Sequence, residues 1–236
     1  MLALLLVMAA GSALAATGLG ISEYEEQVST YSINPDIPSY AEYCAEREAL
    51  QPEKEIVLEA ADAARYEEEG GTDAPVLTEA AEGRDGLSVL TGEEAVIEWD
   101  FEAEEAGWYD LEVEYYPWPG RNAEIQRAFF LDGALPYREL ALVNFSRVWR
   151  NDLHPEVSRY TAEDGTEAIR WLRDNQGNEL KPSPAEAPEW RTSLLHDSNG
   201  YISESLKIFV ERGPHTLSVL SQIGRASCRE RVWLRV

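Results

Sequence analysis

Residues 97–117 read IEWDFEAEEAGWYDLEVEYYP, and the alternation within them decides the class of fold. In the first half Ile97, Trp99 and Phe101 alternate with Glu98, Asp100 and Glu102. In the second, Tyr109, Leu111, Val113 and Tyr115 alternate with Asp110, Glu112 and Glu114. Successive side chains of an extended chain point to opposite faces, so each half predicts a strand with one apolar face buried and one acidic face wet. Ala106-Gly107 between them supplies the turn.

Working outward, the same period of two opens at Glu55 in EIVLEA and returns at Arg127, Phe129 and Leu131. Asp132-Gly133 is a two-residue hairpin signal, after which the chain comes back through Tyr137 to Phe145. Leu206, Ile208 and Val210 alternate up to Arg212-Gly213, and Leu217 with Val219 resume the pattern after Pro214-His215. Many short strands and a single convincing helix predict a mainly β fold, an antiparallel β-sandwich of jelly-roll type over residues 55–222. That helix begins at Ser39, whose spacing to Glu42 forms a capping box, with Tyr40, Tyr43 and Cys44 on one face and an expected end near Leu50. Ile21 to Ile37 shows no clear periodicity, so residues 17–54 read as a lead-in carrying one short helix. Between 147 and 200 prolines, asparagines and tryptophans replace the alternation, which predicts a long irregular insertion. Trp149, Trp171 and Trp190 carry enough apolar area to order it.

The two ends differ from the middle. Residues 1–16, MLALLLVMAAGSALAA, are uncharged and apolar, with Ala13 and Ala15 in the small-x-small pattern of a cleavage site. They read as a signal peptide, an uncleaved N-terminal anchor being the alternative, and they place the protein outside the cell or at its surface. At the other end, residues 223–232, IGRASCRERV, resemble the translation of a sequencing-adapter oligonucleotide, so 223–236 are expected to be an artefactual tail and the natural sequence to diverge near Gln222. Loss of a final strand there would leave an open sheet edge, and the fragment would be marginally stable.

Charge narrows the partners. The 236 residues include 44 acidic against 20 basic side chains, a formal net charge of −24. Such a surface repels phosphate backbones and anionic lipid, which excludes nucleic acid and leaves neutral ligands such as sugars, together with metal cations. A monomer is expected. Two cysteines, Cys44 and Cys228, make no disulfide framework. The histidines, His154, His196 and His215, form no His-x-x-x-His pair, and no G-x-S-x-G elbow or phosphate-binding glycine loop is present. No catalytic residues are therefore assigned, and the expected function is binding without turnover.

Carbohydrate recognition needs rings that lie against the apolar face of a sugar and planar polar groups that bond its hydroxyls. Asn175, Asn178 and Glu179 supply amide and carboxylate groups, Arg191 a fork of donors, and Trp190, Tyr201 and Trp118 candidate platforms. For the insertion tryptophans, burial beneath loops is the competing reading. A structural Ca²⁺ is the one cofactor the acidic surface suggests, with Glu59 and Asp62 as candidate ligands.

Two sets of residues carry a resemblance. IEWDFEAEEAGWYDLEVEYYP, AFFLDGALPY and RGPHTLSVL resemble successive strands of galactose-binding-like modules over roughly Glu55 to Ser221. SYAEYCAE, FSRVW, DNQGNELKPSPAEAPEWRT and DSNGYISE resemble the N-terminal region of large bacterial extracellular solute-binding proteins of sugar-type ABC transporters. The resemblance implies that the sandwich precedes a two-lobed periplasmic-binding-type domain, which would engage the transporter's membrane components. Related modules begin Glu-Ala-Glu where this chain has Glu59-Ala60-Ala61, so one carboxylate of the implied calcium site is missing. An accessory domain of a polysaccharide-degrading enzyme, or a spacer that docks other proteins, are the alternatives.

Overall fold

The computed structural model describes residues 19–68, 76–79, 87–119, 123–152, 158–171, 173–180, 183–223, 226–228 and 232–235. The expected leader over 1–16 lies outside them. Among the described residues no helix is long and apolar enough to cross a membrane. The chain forms two compact units, one of Met1–Ser146 with Trp190–Val236 and one of Arg147–Glu189.

Helices α1 (Ile21–Thr30) and α2 (Tyr40–Ala45) lead into β1 (Ile56–Leu58), β2 (Arg65–Glu68), β3 (Val76–Glu79), β4 (Leu87–Thr91), β5 (Ala95–Ala103), β6 (Gly107–Pro117), β7 (Ile125–Leu131) and β8 (Val143–Phe145). The second unit holds β9 (Trp149–Asp152), β10 (Ser158–Thr161), β11 (Glu167–Arg170) and β12 (Ser183–Glu186). The first unit resumes with β13 (Arg191–Leu194), β14 (Lys207–Val210), β15 (Gly213–Ile223), β16 (Ala226–Cys228) and β17 (Val232–Arg235).

In the first unit these strands make two antiparallel sheets. One is ordered β2-β5-β15-β7-β8; the other is centred on β6 and runs β1-β17-β6-β16-β4-β3, with β13 and β14 also on β6. The apolar positions of the opening alternation form the core between them: Trp99, Tyr109, Leu111 and Tyr115 are all at most 2% exposed. Tyr115 of β6 meets Phe145 of β8 across the layers at 5.1 Å. The expected β-sandwich is therefore the fold. The hairpin at Asp132-Gly133 also forms: Leu131 and Ala134 exchange backbone hydrogen bonds of 3.0 and 3.1 Å. Asp132 (φ 53) and Gly133 (φ 79) both take positive φ, the conformation a type I′ turn requires.

Three expectations need correction. Ile21 to Ile37 is no featureless lead-in, because Ile21, Tyr24, Val28 and Tyr31 recur at helical spacing and α1 lays that stripe on the outer face of the five-stranded sheet. There Tyr24 packs 4.6 Å from Phe130. Glu98 was expected to be wet, yet it is 0% exposed: Tyr24 Oη donates to its Oε1 at 2.6 Å, Ser218 Oγ at 3.4 Å and Arg65 Nη1 at 3.3 Å. The third is α2, which starts at the expected Ser39 cap but ends at Ala45 instead of Leu50. Beyond it Glu48 and Leu50 turn their carbonyls to Trp108, which donates to them through its indole (2.9 Å) and its backbone (3.1 Å).

Residues 223–236, expected as an artefactual tail, supply β16 and β17. These pair along one edge of β6, Val232–Arg235 against Val113–Asp110 and Ala226–Ser227 against Pro117–Tyr116. The other edge of β6 takes β14 and then β13. Within the second unit β9 pairs with β12 and β10 with β11, as two separate antiparallel ribbons.

Candidate functional site

The face of β6 that points away from the core carries Glu112, Glu114, Tyr116 and, beyond the strand end, Trp118, since every second residue shares a face. Antiparallel register sets β13 beside it, with Leu194 opposite Glu112 and Thr192 opposite Glu114. Continuing that register by two residues brings Trp190 to Tyr116, and their rings lie 5.5 Å apart. On its other side Tyr116 meets Trp118 at 5.9 Å. Tyr116 is 7% exposed, while Trp118 and Trp190 are half-buried. The result is an apolar ledge whose two outer rings remain within reach of solvent.

A shallow cleft of about 440 Å³ opens further along the same strands, lined by Glu112, Thr192, Ser193, Leu194 and His196. It offers carboxylate, hydroxyl and imidazole groups beside one apolar side chain. Ser193 Oγ donates to the Leu194 carbonyl at 2.9 Å. The next turn is held rigidly: Asp197, 8% exposed, accepts backbone hydrogen bonds from Asn199 (3.0 Å), Tyr201 (2.8 Å) and Ile202 (3.3 Å). Ser198 Oγ anchors the same turn to the Leu142 carbonyl at 2.7 Å. This turn presents Tyr201 at 90% exposure.

Of the residues singled out in the sequence, Trp118, Trp190, Arg191 and Tyr201 fall in the first unit. Trp118 and Trp190 come together through Tyr116, whereas Arg191 is exposed opposite Tyr115 in the register. Asn175, Asn178 and Glu179 fall in the second unit, on one exposed turn. Asp174 organises that turn: its Oδ1 accepts from the backbone of Gln176 (2.9 Å) and Asn178 (2.8 Å), and its Oδ2 from Asn178 Nδ2 (2.8 Å). These bonds, that to the Asn178 amide first, hold the Asp174 carboxyl below its ordinary pKa. The Asn178 amide is thus committed to its own loop, and Glu179 pairs with Arg173 at 3.1 Å.

The cleft residues Glu112, Thr192, Leu194 and His196 were not legible as a group. The alternation marks Glu112 as outward, but the strand facing it is fixed by a register that no local pattern encodes.

Glu59 precedes, and Asp62 ends, a single turn of 3-10 helix, Ala60–Asp62. The Glu59 carbonyl accepts the Trp99 indole N–H at 2.9 Å, which ties this turn to β5. Among the described residues no group of three or more His, Cys, Asp or Glu side chains converges as a metal site. Calcium takes about six to eight oxygens, so the two carboxylates fall short of a full protein donor set.

No family model matches the chain, and no curated protein matches it. Among solved structures it is similar to a family 35 carbohydrate binding module from Clostridium thermocellum, with 12% identity and a TM-score of 0.39 over 78% of this chain and 99% of that one. It is also similar to the GH26-CBM35 β-(1,4)-mannanase of Podospora anserina, with 11% identity and a TM-score of 0.41 over 78% of this chain and 28% of that one. A family 35 carbohydrate binding module from an environmental isolate shows 10% identity and a TM-score of 0.37 over 75% and 90% of the two chains.

Proposed function

We propose that the first unit binds carbohydrate and performs no chemistry of its own, and that it serves a secreted bacterial sugar-uptake protein. The observation that carries this reading is the clustering of the Trp118, Tyr116 and Trp190 rings at one end of β6, with the separate cleft of Glu112, Thr192 and His196 on the same pair of strands. Sugars need that combination of an apolar surface for C–H groups and planar or hydroxyl groups for oxygens. Tyr201, presented on its braced turn, supplies a further ring. The uptake setting is supported by the motifs SYAEYCAE, FSRVW and DSNGYISE, and in that setting the transporter's membrane components would meet a further domain of the same protein.

A panel of neutral polysaccharides screened by affinity electrophoresis tests the binding. Trp190→Ala and Trp118→Ala are each expected to weaken retention about tenfold, equivalent to about 1.4 kcal/mol, with the far-ultraviolet spectrum unchanged. Retention of both variants at wild-type strength, or release of reducing sugar by the protein, would overturn the reading. Resequencing the locus past the codon for Gln222 separates uptake from polysaccharide degradation: a two-lobed binding domain supports the first, a catalytic domain the second.

A further inference from the structure

Among the described strands β14 pairs with β6 alone, through one edge. The backbone groups of its opposite edge belong to Lys207 and Phe209, and side chains satisfy them in place of a strand. The Lys207 N–H donates to the Tyr40 hydroxyl at 3.3 Å, and the Lys207 carbonyl accepts from Tyr137 Oη at 2.9 Å. Two residues on, the Tyr43 hydroxyl accepts from the Phe209 N–H at 3.3 Å and reaches the Phe209 carbonyl at 3.4 Å. Two further on, past the strand end, the Glu211 carbonyl lies 2.8 Å from His215 Nε2. That spacing is the spacing along one edge of an extended chain, where every second residue turns its N–H and carbonyl to the same side.

Two of these hydroxyls come from α2, where Tyr40 and Tyr43 stand three residues apart on one face. Both rings pack against Tyr137, each at 4.9 Å, and Tyr43 and Tyr137 are at most 3% exposed. This cover is nonetheless lighter than a strand. The bonds made by Tyr40 and Tyr43 are 3.3–3.4 Å long, beyond the length of about 2.9–3.0 Å usual in a main-chain ladder. A six-residue helix also has little hold of its own, since isolated helices shorter than about 12–15 residues are marginal in water. An incoming strand would offer Lys207 and Phe209 shorter bonds in a regular ladder.

We infer that α2 guards a strand-addition edge, and that the partner this edge takes when the guard is lifted is the β14 of a second copy, antiparallel about a two-fold axis at Phe209. Phe209 then faces Phe209, and Lys207 of each copy lies opposite Glu211 of the other, so the edge is complementary to itself in charge. A register displaced by two residues sets Lys207 or Glu211 against Phe209 and forfeits the charge pairs. The tyrosine hydroxyls of α2 hold the chain monomeric by occupying the backbone groups that a second copy would use. This inference does not depend on the reading of the ledge.

Tyr40→Phe/Tyr43→Phe keeps both rings and withdraws both hydroxyls. Sedimentation velocity on the full chain at about 0.15 M ionic strength suits the test, because repulsion between chains of net charge −24 is then screened beyond about 8 Å. The wild type is expected to stay monomeric, and the double variant to reach about twice the monomer mass as its concentration is raised about a hundredfold. Tyr43→Phe alone is expected to dimerise at higher concentration, and it decides the question if the double variant does not fold. Adding Glu211→Lys sets lysine against lysine across the axis and is expected to return either variant to a monomer. Tyr24→Phe, which withdraws a buried hydroxyl from the five-stranded sheet, is expected to stay monomeric, separating loss of the guard from loss of stability. Folded hydroxyl variants that remain monomeric, an associated form that Glu211→Lys leaves intact, equal association of Tyr24→Phe, or a wild type that already dimerises would each overturn the inference.

Discussion

Glu98 concentrates what a single residue contributes to this molecule. Its carboxylate lies under α1, and the Tyr24 hydroxyl reaches it at 2.6 Å while also sitting 2.9 Å from Ser218 Oγ. Removing the hydroxyl leaves a buried carboxyl oxygen short of a partner, so Tyr24→Phe is expected to cost about 1–3 kcal/mol in urea unfolding. A loss below a few tenths would mean that water replaces the hydroxyl. The sequence shows Glu98 only as one charge in an alternating run, and alternation reports the strand while saying nothing of what lies over it. Trp99, one position on, was legible for the same reason: its place in the core follows from the period alone. At Glu59 and Asp62 the paucity of donors has a consequence in solution. Calcium added to chelator-treated protein is expected to leave the melting midpoint unmoved, and a rise abolished by Glu59→Gln would show that a site assembles there.

Among the elements, β6 was the most legible and β13 the least. Seven residues of strict alternation, Tyr109 to Tyr115, announce β6. Arg191–Leu194 has no such pattern and is a strand because the edge of β6 between Glu112 and Tyr115 needs partners for its backbone groups. The helix α1 stands between these cases, since its stripe at positions 21, 24, 28 and 31 is present in the sequence but is diluted by polar and acidic neighbours. At the turn after β7, the Asp132–His215 contact makes stability depend on pH. That hydrogen bond, followed by the opposing effect of burial, raises the His215 pKa above its ordinary value of 6.5. A raised folded value means that the contact stabilises fully below about pH 6.5 and that its contribution fades as pH rises through the folded pKa. Melting midpoints of the wild type and His215→Gln should therefore differ most near pH 5.5 and converge by about pH 8.5. A gap of constant size across that range would show a packing role alone.

For the whole molecule, the slot between β6 and its outer neighbours β1 and β4 decides whether the larger sheet holds together. β17 joins β1 to β6, and β16 joins β4 to it. A chain ending at Ile223 leaves that edge of β6 open and removes Leu234, 0% exposed, from the core. The leucine alone is worth about 1.5–3 kcal/mol, and the bare edge invites pairing between molecules. Size-exclusion chromatography and thermal melts of the shortened chain are expected to show association and a lower midpoint. An unchanged monomer would mean that these strands rest on β6 without supporting it. The sandwich was legible from period and turns, but which strand fills this slot is settled by competition among distant segments, and no stretch of sequence displays that.

The buried cluster of the first unit draws none of its described members from Arg147–Glu189. Substitutions at the described residues of that stretch leave the membership of this cluster untouched, whereas a polar residue at Trp99 of β5 or Leu111 of β6 would strike it directly.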